Sequence, residues 1–331
     1  MNKPVQGNIA IVGQGLMGLT SALRLLEAGF AVTLFSKEPF EQTNSMSAGA
    51  YWWPHRTYPM DRVASWAKTT YDEYVKQSAD ADSGVFFEQH LRFCLDPDDS
   101  AYVLDIVDQW ERVDGADYGV PCAEAFRVNV PVIDVPIFMT QLKQRVAAAN
   151  AAFVTRTIES PDSLFPEFDL VVNCTGVEAR DFVHDEEVFP IRGQVVRVAR
   201  PEGLRRSTRI YQKDDRFTLV LPRTHDVILG GTAQEGDWDR HERATDTAAI
   251  LSRCGELVPE IKDANVLGTA VGLRPGRHAV RLELDTTTSG QPVVHNYGHG
   301  GGGYTVAWGC ADEVVMLVRG VKKVSGHQNG L

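Results

Sequence analysis

The sequence lacks three patterns that would assign a protein class at once. Its five cysteines are widely spread and contain no C-x-x-C pair, which disfavours a disulfide framework and a structural zinc site. No apolar run approaches the roughly 18 residues of a membrane-spanning helix. Lysine and arginine total 33 against 44 acidic residues, for a formal net charge of -11. Because an acidic surface repels phosphates, we expect no nucleic-acid partner and no membrane association.

Targeting signals are also missing from both ends of the sequence. Residues 1–7 do not form a signal peptide, and residues 328–331 are not a peroxisomal S-K-L signal. Scattered cysteines without a pairing pattern are typical of reduced thiols in the cytosol. We therefore expect a cytoplasmic protein without a metal site. A length of 331 residues and an ordinary globular composition suit two compact units.

The first 36 residues have the pattern of a strand–helix–strand unit. An apolar strand is predicted over 8–12, a helix from about 16 to Gly29 and a second strand over 31–35. Between the first strand and the helix lies Gly13-x-Gly15-x-x-Gly18. These glycines permit a tight turn, close approach of a pyrophosphate and close helix–strand packing, while the helix N-terminus attracts the phosphates. The motif predicts dinucleotide binding without choosing between NAD and FAD.

The rest of the chain predicts an α/β fold with an antiparallel insertion. Helices are predicted near 61–75, 100–113, 136–149, 244–256 and 304–319, a loop over 78–84, and strands over 153–157 and 170–172. Short β-branched runs between about 194 and 283 favour an antiparallel sheet. We expect a Rossmann-like dinucleotide domain formed by 1–76, 136–182 and 290–331, and a substrate domain formed by 77–135 and 183–289.

A second glycine-rich segment, residues 295–305, favours a flavin. Four consecutive glycines precede a predicted helix there, so the backbone can approach a planar ligand closely. The positive end of that helix suits the negative charge that a reduced flavin carries near its N1 atom. Tyr, His and Trp side chains border the glycines, which is not typical of a flexible linker.

Two further segments carry polar groups at positions suited to a ligand. Asn173-Cys174-Thr175-Gly176 follows a buried strand at its carboxyl end, where ligands of open α/β sheets lie. We expect Cys174 to be a buried small residue, not a nucleophile. Arg274 stands in an apolar strand context and therefore needs a partner. A substrate carboxylate and a structural ion pair are both open at this point.

These segments together resemble the D-amino-acid oxidase family, which includes the D-aspartate oxidases. The resemblance runs in the same order through nearly the whole chain. It is carried by Gly13-x-Gly15-x-x-Gly18, 173–177, Arg192-Gly193-Gln194, 230–238, Gly272-Leu273-Arg274-Pro275, 295–301 and Trp308-Gly309-Cys310.

The resemblance implies noncovalently bound FAD in a two-domain oxidase fold. It places cofactor contacts along most of the first domain. By position these are Gly13, Gly15, Leu16 and Gly18 at the pyrophosphate, Ser36, Lys37 and Glu38 at the ribose, Thr43, Asn44 and Ser45 near the phosphates, Ala48, Gly49 and Ala50 beside the flavin, Ile158 on the adenine side, Thr175 and Gly176, and His299, Gly300, Gly301, Gly303, Tyr304 and Thr305 around the flavin ring.

For the substrate, the resemblance assigns Arg274 to the α-carboxylate. A tyrosine usual in the family is replaced by Leu219, and Tyr211 is the nearest alternative for its role. His55 follows Pro54 as in the D-aspartate oxidase branch, whereas Ala233 stands where that branch often has an arginine. We expect a slight preference for acidic D-amino acids such as D-aspartate or D-glutamate, whose second carboxylate would need a second cation. Candidates are His55, Arg56, Lys213, Arg216 and Arg223, while Leu219, Trp52 and Trp53 would favour apolar side chains.

The implied activity is oxidative deamination of a D-amino acid. The α-hydrogen passes to the flavin as a hydride, O2 is reduced to hydrogen peroxide, and the imine hydrolyses to a 2-oxo acid and ammonia. An oxidase of glycine, sarcosine or a biosynthetic amine on the same fold is the alternative. An NAD-linked dehydrogenase or a flavin-binding protein without turnover is less favoured. Expected partners are the substrate and O2, with a homodimer left open.

Overall fold

A computed structural model describes residues 6–94, 101–204, 207–213 and 216–328. No helix within these residues is both long enough and apolar enough to span a membrane. The helices are α1 (Leu16–Glu27), α2 (Met60–Gln77), α3 (Val135–Ala148), α4 (Ala179–Phe182), α5 (Ala244–Leu257) and α6 (Gly303–Gln328). The strands are β1 (Asn8–Val12), β2 (Ala31–Ser36), β3 (Ala50–Tyr51), β4 (Val85–Cys94), β5 (Trp110–Arg112), β6 (Glu124–Ile133), β7 (Ala152–Thr155), β8 (Leu170–Asn173), β9 (Phe189–Ala199), β10 (Ser207–Lys213), β11 (Arg216–Pro222), β12 (Asp226–Gly230), β13 (Gln234–Glu235), β14 (Val266–Gly276), β15 (Arg281–Thr286) and β16 (Pro292–Tyr297).

The first sheet has the order β15-β16-β8-β1-β2-β7 among the described residues. Its pairs are parallel except for β15 with β16. Both faces are buried, as expected for a parallel sheet. Ile9 and Ile11 of β1 pack with the helices α1, α2, α3 and α6, whereas Ala10 and Val12 pack on the other face with Phe168.

The second sheet has the order β13-β9-β12-β11-β10-β4-β6-β3, with β14 added on β9 and β5 on β6. Its pairs are antiparallel, except that β10 and β4 run parallel. Because side chains alternate along a strand, β9 supplies two cores. Val196 and Val198 pack against Ile250 of helix α5, while Val195 faces the opposite side with Leu219.

The helix predicted near 100–113 is wrong. The structure has a short 3-10 turn over Ala101–Asp105, and Trp110–Arg112 then pairs with β6. Burial of Val103, Leu104 and Val107 explains the error, because apolar residues at this spacing mimic one face of a helix. The Trp110 ring packs edge-on against Phe126, so tertiary contacts favour the strand.

The last helix was predicted to end at Gly320, but α6 continues to Gln328. An exposed glycine inside a helix costs only about 1 kcal/mol relative to alanine, so the helix passes through it.

The division into two domains stays a prediction. Strand β15 lies within the range 183–289 predicted for the substrate domain, yet it pairs with β16 in the first sheet.

Two glycines of α6 offer a matched test of the helix packing. A Cβ at Gly309 would lie 2.4 Å from the Trp66 Cα, so α2 and α6 can approach this closely only because Gly309 has no side chain. We expect Gly309→Ala to lower the free energy of unfolding by about 1–3 kcal/mol. No atom of the described residues lies within 4 Å of the methyl group that Gly320→Ala would add, so this variant should raise that free energy. Thermal unfolding of both variants checks this, and equal melting temperatures would contradict it.

Candidate active site

A cavity of about 490 Å³ is lined by residues of both sheets. One end lies at the carboxyl ends of β1, β2 and β8, where the loops after these strands form its wall. The other end lies against β9, β11, β12 and β14 of the second sheet. The cavity therefore extends from the position expected for a dinucleotide to the strand that carries Arg274.

The glycine motif forms the first end of the cavity. A Cβ at Gly13 would lie 2.3 Å from the Cys174 carbonyl oxygen, and Gly13 has a φ of +116°. Only glycine suits this turn. Gly13, Gly15 and Leu16 line the cavity, whereas Gly18 lies behind the wall, where its missing Cβ would lie 1.9 Å from the Gly13 carbonyl oxygen.

The N-terminus of α1 is open to an anion. Its first turn contains no acidic residue, and Gly15 provides no side-chain cap. The Leu16 amide donates to the Ser45 Oγ at 3.0 Å. The other amides of the first turn and the positive end of the helix dipole suit a pyrophosphate.

Ser36, Lys37 and Glu38 all line the same end, as does Ile158. The Ser36 hydroxyl donates to the Glu38 carbonyl oxygen. Lys37 Nζ lies 3.0 Å from a carboxylate oxygen of Glu178, and Arg240 Nη2 lies 2.7 Å from the other. This ion-pair chain connects the loop after β2 with the loop that follows β13, and sequence reasoning missed it.

The segment between β2 and α2 forms one side of the cavity. Thr43, Asn44, Ser45, Ala48, Gly49 and Ala50 all line it. Asn44 Oδ1 accepts a hydrogen bond from the Leu273 amide at 2.6 Å, and a Cβ at Gly49 would lie 2.7 Å from Ile228 Cγ2. The segment is thereby packed closely against the second sheet.

The glycine-rich segment forms the opposite side. His299, Gly300, Gly301, Gly303 and Tyr304 line the cavity, as do Thr175 and Gly176. Thr305 lies behind it, where its hydroxyl donates to the Trp53 carbonyl oxygen at 2.8 Å.

Two buried side chains at this wall, His299 and Cys174, are uncharged. Burial lowers the pKa of His299 to about 3, so its imidazole is neutral, and its Nε2 atom has no hydrogen-bond partner among the described residues. Burial raises the pKa of Cys174 to about 12, so the thiol stays protonated and is not a nucleophile.

Arg274 projects into the second end of the cavity from β14. Its Nη1 donates to the Thr232 carbonyl oxygen at 3.0 Å, and no carboxylate of the described residues pairs with it. Burial lowers its pKa to about 10, and the nearby charge of Arg56 contributes to this shift. The guanidinium is still cationic at neutral pH and is free to bind an anion.

The walls around this end are mostly apolar and aromatic. Tyr51, Trp53, His55, Val195, Phe217 and Leu219 line them. The His55 and Phe217 rings lie 5.4 Å apart. Of the two neighbouring tryptophans, Trp53 reaches the cavity, but Trp52 points away and donates to the Ala67 carbonyl oxygen.

The structure contradicts the role expected for Tyr211. Its register partner on β11 is Thr218, so it points to the opposite face of the sheet from Leu219. Tyr211 packs there beside Leu91 and Phe93, and Leu219 itself lines the cavity.

Few of the proposed second cations reach the cavity. Arg223 is buried in an ion pair with Asp226 at 2.7 Å, and Arg56 pairs with Glu235 at 2.6 Å. Neither arginine lines the cavity, whereas His55 does. The side chains of Lys213 and Arg216 lie outside the described part of the chain.

Comparisons with known proteins agree with this geometry. The family model "FAD dependent oxidoreductase" matches residues 8–317. A D-amino-acid oxidase of Rubrobacter xylanophilus is 38% identical over 318 residues, which cover 96% of this chain and 97% of that protein. The D-aspartate oxidase of Homo sapiens is 34% identical over 325 residues, with 94% of each chain covered.

The fold class predicted from the sequence is confirmed by a solved structure. Glycine oxidase from Geobacillus kaustophilus superimposes with a TM-score of 0.78, covering 95% of this chain and 94% of that one. The sequence identity of 19% means that this likeness concerns the fold alone.

The cavity fits FAD by its donors and its shape. The open N-terminus of α1 suits the pyrophosphate, and the glycine-lined middle leaves room for a flat ring. The neutral, unpartnered Nε2 of His299 is a hydrogen-bonding group available in the same wall.

Replacing Gly15 tests the cofactor end directly. Gly15→Val would place a branched side chain at the open helix N-terminus, where Gly15 already faces Ser45. We expect the purified variant to retain little FAD, while wild-type protein is yellow and releases its FAD on acid precipitation. Gly320→Val, on the exposed surface of α6, is the control and should keep its FAD. Full FAD content in Gly15→Val would contradict this account of the pyrophosphate site, and colour that stays on the acid precipitate would contradict noncovalent binding.

Proposed function

The chain belongs to the family of FAD-dependent oxidoreductases, and from this premise we propose that it oxidatively deaminates D-amino acids. The observation that carries the proposal is Arg274. A desolvated guanidinium with no carboxylate partner among the described residues faces a cavity whose other end suits a dinucleotide. A substrate carboxylate would supply the missing counter-ion.

The protein's part in the reaction is binding and orientation. When bound, FAD would supply the acceptor for the α-hydrogen and its electron pair, and O2 would take up these electrons to give hydrogen peroxide. The oxidised substrate is an imine, which water hydrolyses to a 2-oxo acid and ammonia. Arg274 holds the carboxylate by its remaining N–H donors, so that the Cα–H bond is directed at the glycine-lined wall.

No general base is assigned to the substrate end. The carboxylates that line the cavity, Glu38, Glu159, Glu178 and Asp181, lie on the segments that follow β2, β7 and β8 of the first sheet. An amino acid that enters with a neutral amine needs no base, because the α-hydrogen leaves with its electron pair. Orientation by Arg274 is then the main contribution of the protein at this end.

The other activities predicted from the sequence become outcomes of a substrate screen. Peroxide release with glycine or sarcosine, but not with larger D-amino acids, would support the glycine-type alternative. Absence of peroxide with every amine would support a flavin-binding protein without turnover. The glycine-rich wall, which lines the same cavity as the dinucleotide motif, favours FAD over NAD.

The side-chain preference of the substrate stays a prediction. Tyr51, Trp53, Phe217 and Leu219 favour apolar side chains. Among the cations named for an acidic substrate, His55 is the one whose described side chain lines the cavity. A preference for D-aspartate or D-glutamate therefore depends on His55. Cytoplasmic location, use of O2 and assembly into a homodimer are proposals that rest on the sequence and the family.

Removal of the arginine should abolish most of the activity. We expect Arg274→Ala to lower kcat/KM about 100-fold, equivalent to about 3 kcal/mol of transition-state stabilisation. Arg274→Lys should recover only part of the loss, because an ammonium group does not replace a two-pronged guanidinium. Steady-state peroxide release with unchanged FAD content is the measurement. Kinetics of Arg274→Ala close to those of the wild type would remove this residue from the mechanism.

Substrate preference can be tested through His55. The wild-type kcat/KM is compared for D-aspartate, D-glutamate, D-alanine, D-methionine and D-phenylalanine at one pH. If His55 supplies the second cation, His55→Gln should lower kcat/KM for D-glutamate at least about tenfold more than for D-methionine, since a buried unpaired carboxylate is costly. Equal losses for both substrates would exclude this role. A tenfold wild-type preference for any neutral substrate over both acidic ones would refute the acidic pocket and leave the oxidase assignment intact.

A further inference from the structure

The guanidinium of Arg274 is oriented by a neutral group. Two buried arginines beside the second sheet are held by carboxylates, Arg223 by Asp226 and Arg192 by Asp246. Arg274 is held by the Thr232 carbonyl oxygen instead. A carboxylate in this place would form an ion pair and compete with an anionic substrate, whereas a carbonyl oxygen fixes the direction of the group and leaves its charge unbalanced.

The position of Thr232 is itself fixed by β9. The Gln194 amide donates to the Thr232 Oγ1 at 2.8 Å, and the Thr232 amide donates to the Gln194 carbonyl oxygen at 3.3 Å. Two hydrogen bonds therefore hold the side chain and the amide of Thr232, whose carbonyl oxygen contacts Arg274. Thr232 does not line the cavity, so it acts through Arg274 and not on a ligand.

Gln194 is in turn completely bonded and has no exposed surface. Its Oε1 accepts from Arg192 Nη2 at 2.9 Å and from the Arg243 amide at 2.9 Å. Its Nε2 donates to the Arg243 carbonyl oxygen at 3.0 Å and to Thr247 Oγ1 at 2.8 Å. A fully satisfied buried network of this kind is rigid, so Thr232 has little freedom to shift.

Gly193 provides the space that the guanidinium occupies. A Cβ at Gly193 would lie 2.2 Å from Arg274 Nη1 and 2.6 Å from its Cζ. The atoms that would collide belong to the end of a long side chain, which can swing away without a backbone shift. A methyl group at this position would therefore displace the guanidinium and leave the fold in place.

We propose that Gly193 and Thr232 are positioning residues that hold the cationic Arg274 in the orientation that binds a carboxylate. This inference rests on the proposed function of Arg274. It adds that the neutral support, and not the arginine alone, sets the affinity for the substrate.

The test measures carboxylate affinity without turnover. Pyruvate, the 2-oxo acid formed from D-alanine, is titrated into the FAD-loaded protein, and its Kd is read from the change in the flavin spectrum. Thr232→Val removes the hydroxyl with little change of shape and should raise the Kd and the KM about tenfold, with kcat changed less than about threefold. Thr232→Ser restores the acceptor and should return the Kd to within about threefold of the wild type.

Gly193→Ala is the second variant, and it carries the test if Thr232→Val fails to fold. We expect normal FAD content and a Kd for pyruvate raised at least about thirtyfold, because the guanidinium is displaced. Thr208→Val is the control, since Thr208 is a buried threonine of the same sheet whose hydroxyl has no hydrogen-bond partner in the described structure. Its Kd should equal that of the wild type.

Two results would overturn the proposal. One is a Kd within about twofold of the wild type in a folded Thr232→Val or Gly193→Ala protein. The other is an equal loss of affinity in Thr208→Val, which would show that any lost buried hydroxyl disturbs the site. Failure of the proposed function can be distinguished from these results. In that case the wild-type protein would release no peroxide from any D-amino acid, whereas the Kd values for pyruvate could still be compared among the variants.

Discussion

The substrate end depends on one buried arginine, Arg274, which has no counter-ion in the part of the chain that the structure describes. Removing a guanidinium from water is costly, and proteins usually offset the cost with a carboxylate. Here the Thr232 carbonyl oxygen accepts a hydrogen bond from Arg274 but carries no full negative charge. It offsets only part of the desolvation cost, so an anionic ligand can offset the rest. The rigid β9 backbone, with Gly193 beside the guanidinium and Gln194 behind Thr232, makes this arrangement possible.

The two ends of the cavity use different physical means to bind anions. At the first sheet, backbone amides and the dipole of α1 suit a pyrophosphate, and the absence of side chains at Gly13 and Gly15 gives the approach. At the second sheet a single side chain, Arg274, provides a full charge. The middle is shaped by glycines packed against 55–57 and by Gly49 against Ile228. A flat cofactor in the middle would therefore lie between two anion sites. The backbone at the N-terminus of α1 forms one, and the side chain of Arg274 forms the other.

Local patterns predicted the parts of this site that lie on one continuous segment. They predicted the strand–glycine–helix unit over 8–29 and the glycine-rich segment before α6. The tight turn, the close packing and the helix dipole of such a unit each depend on only a few neighbouring residues. The resemblance to a family then ordered the remaining segments, and the fold class it implied is confirmed. The prediction failed where tertiary contacts decide the structure. The apolar spacing of 100–113 imitates a helix. The sequence does not show how β10 pairs with β11, and this pairing turns Tyr211 away from the face on which Leu219 lies. The contacts of Gly193 with Arg274 and of Glu178 with Arg240 join distant segments and leave no local signal.

The central claim is that this cavity places a D-amino acid, held by Arg274, against bound FAD. The most direct test is to mix the yellow protein with D- and L-enantiomers of the same amino acids in the absence of oxygen and to follow the visible flavin absorption. We expect rapid bleaching by the D-enantiomer, recovery of colour and release of peroxide when air is admitted, and no bleaching by the L-enantiomer. Bleaching by the L-enantiomer alone, or by neither enantiomer of any amino acid, would contradict it.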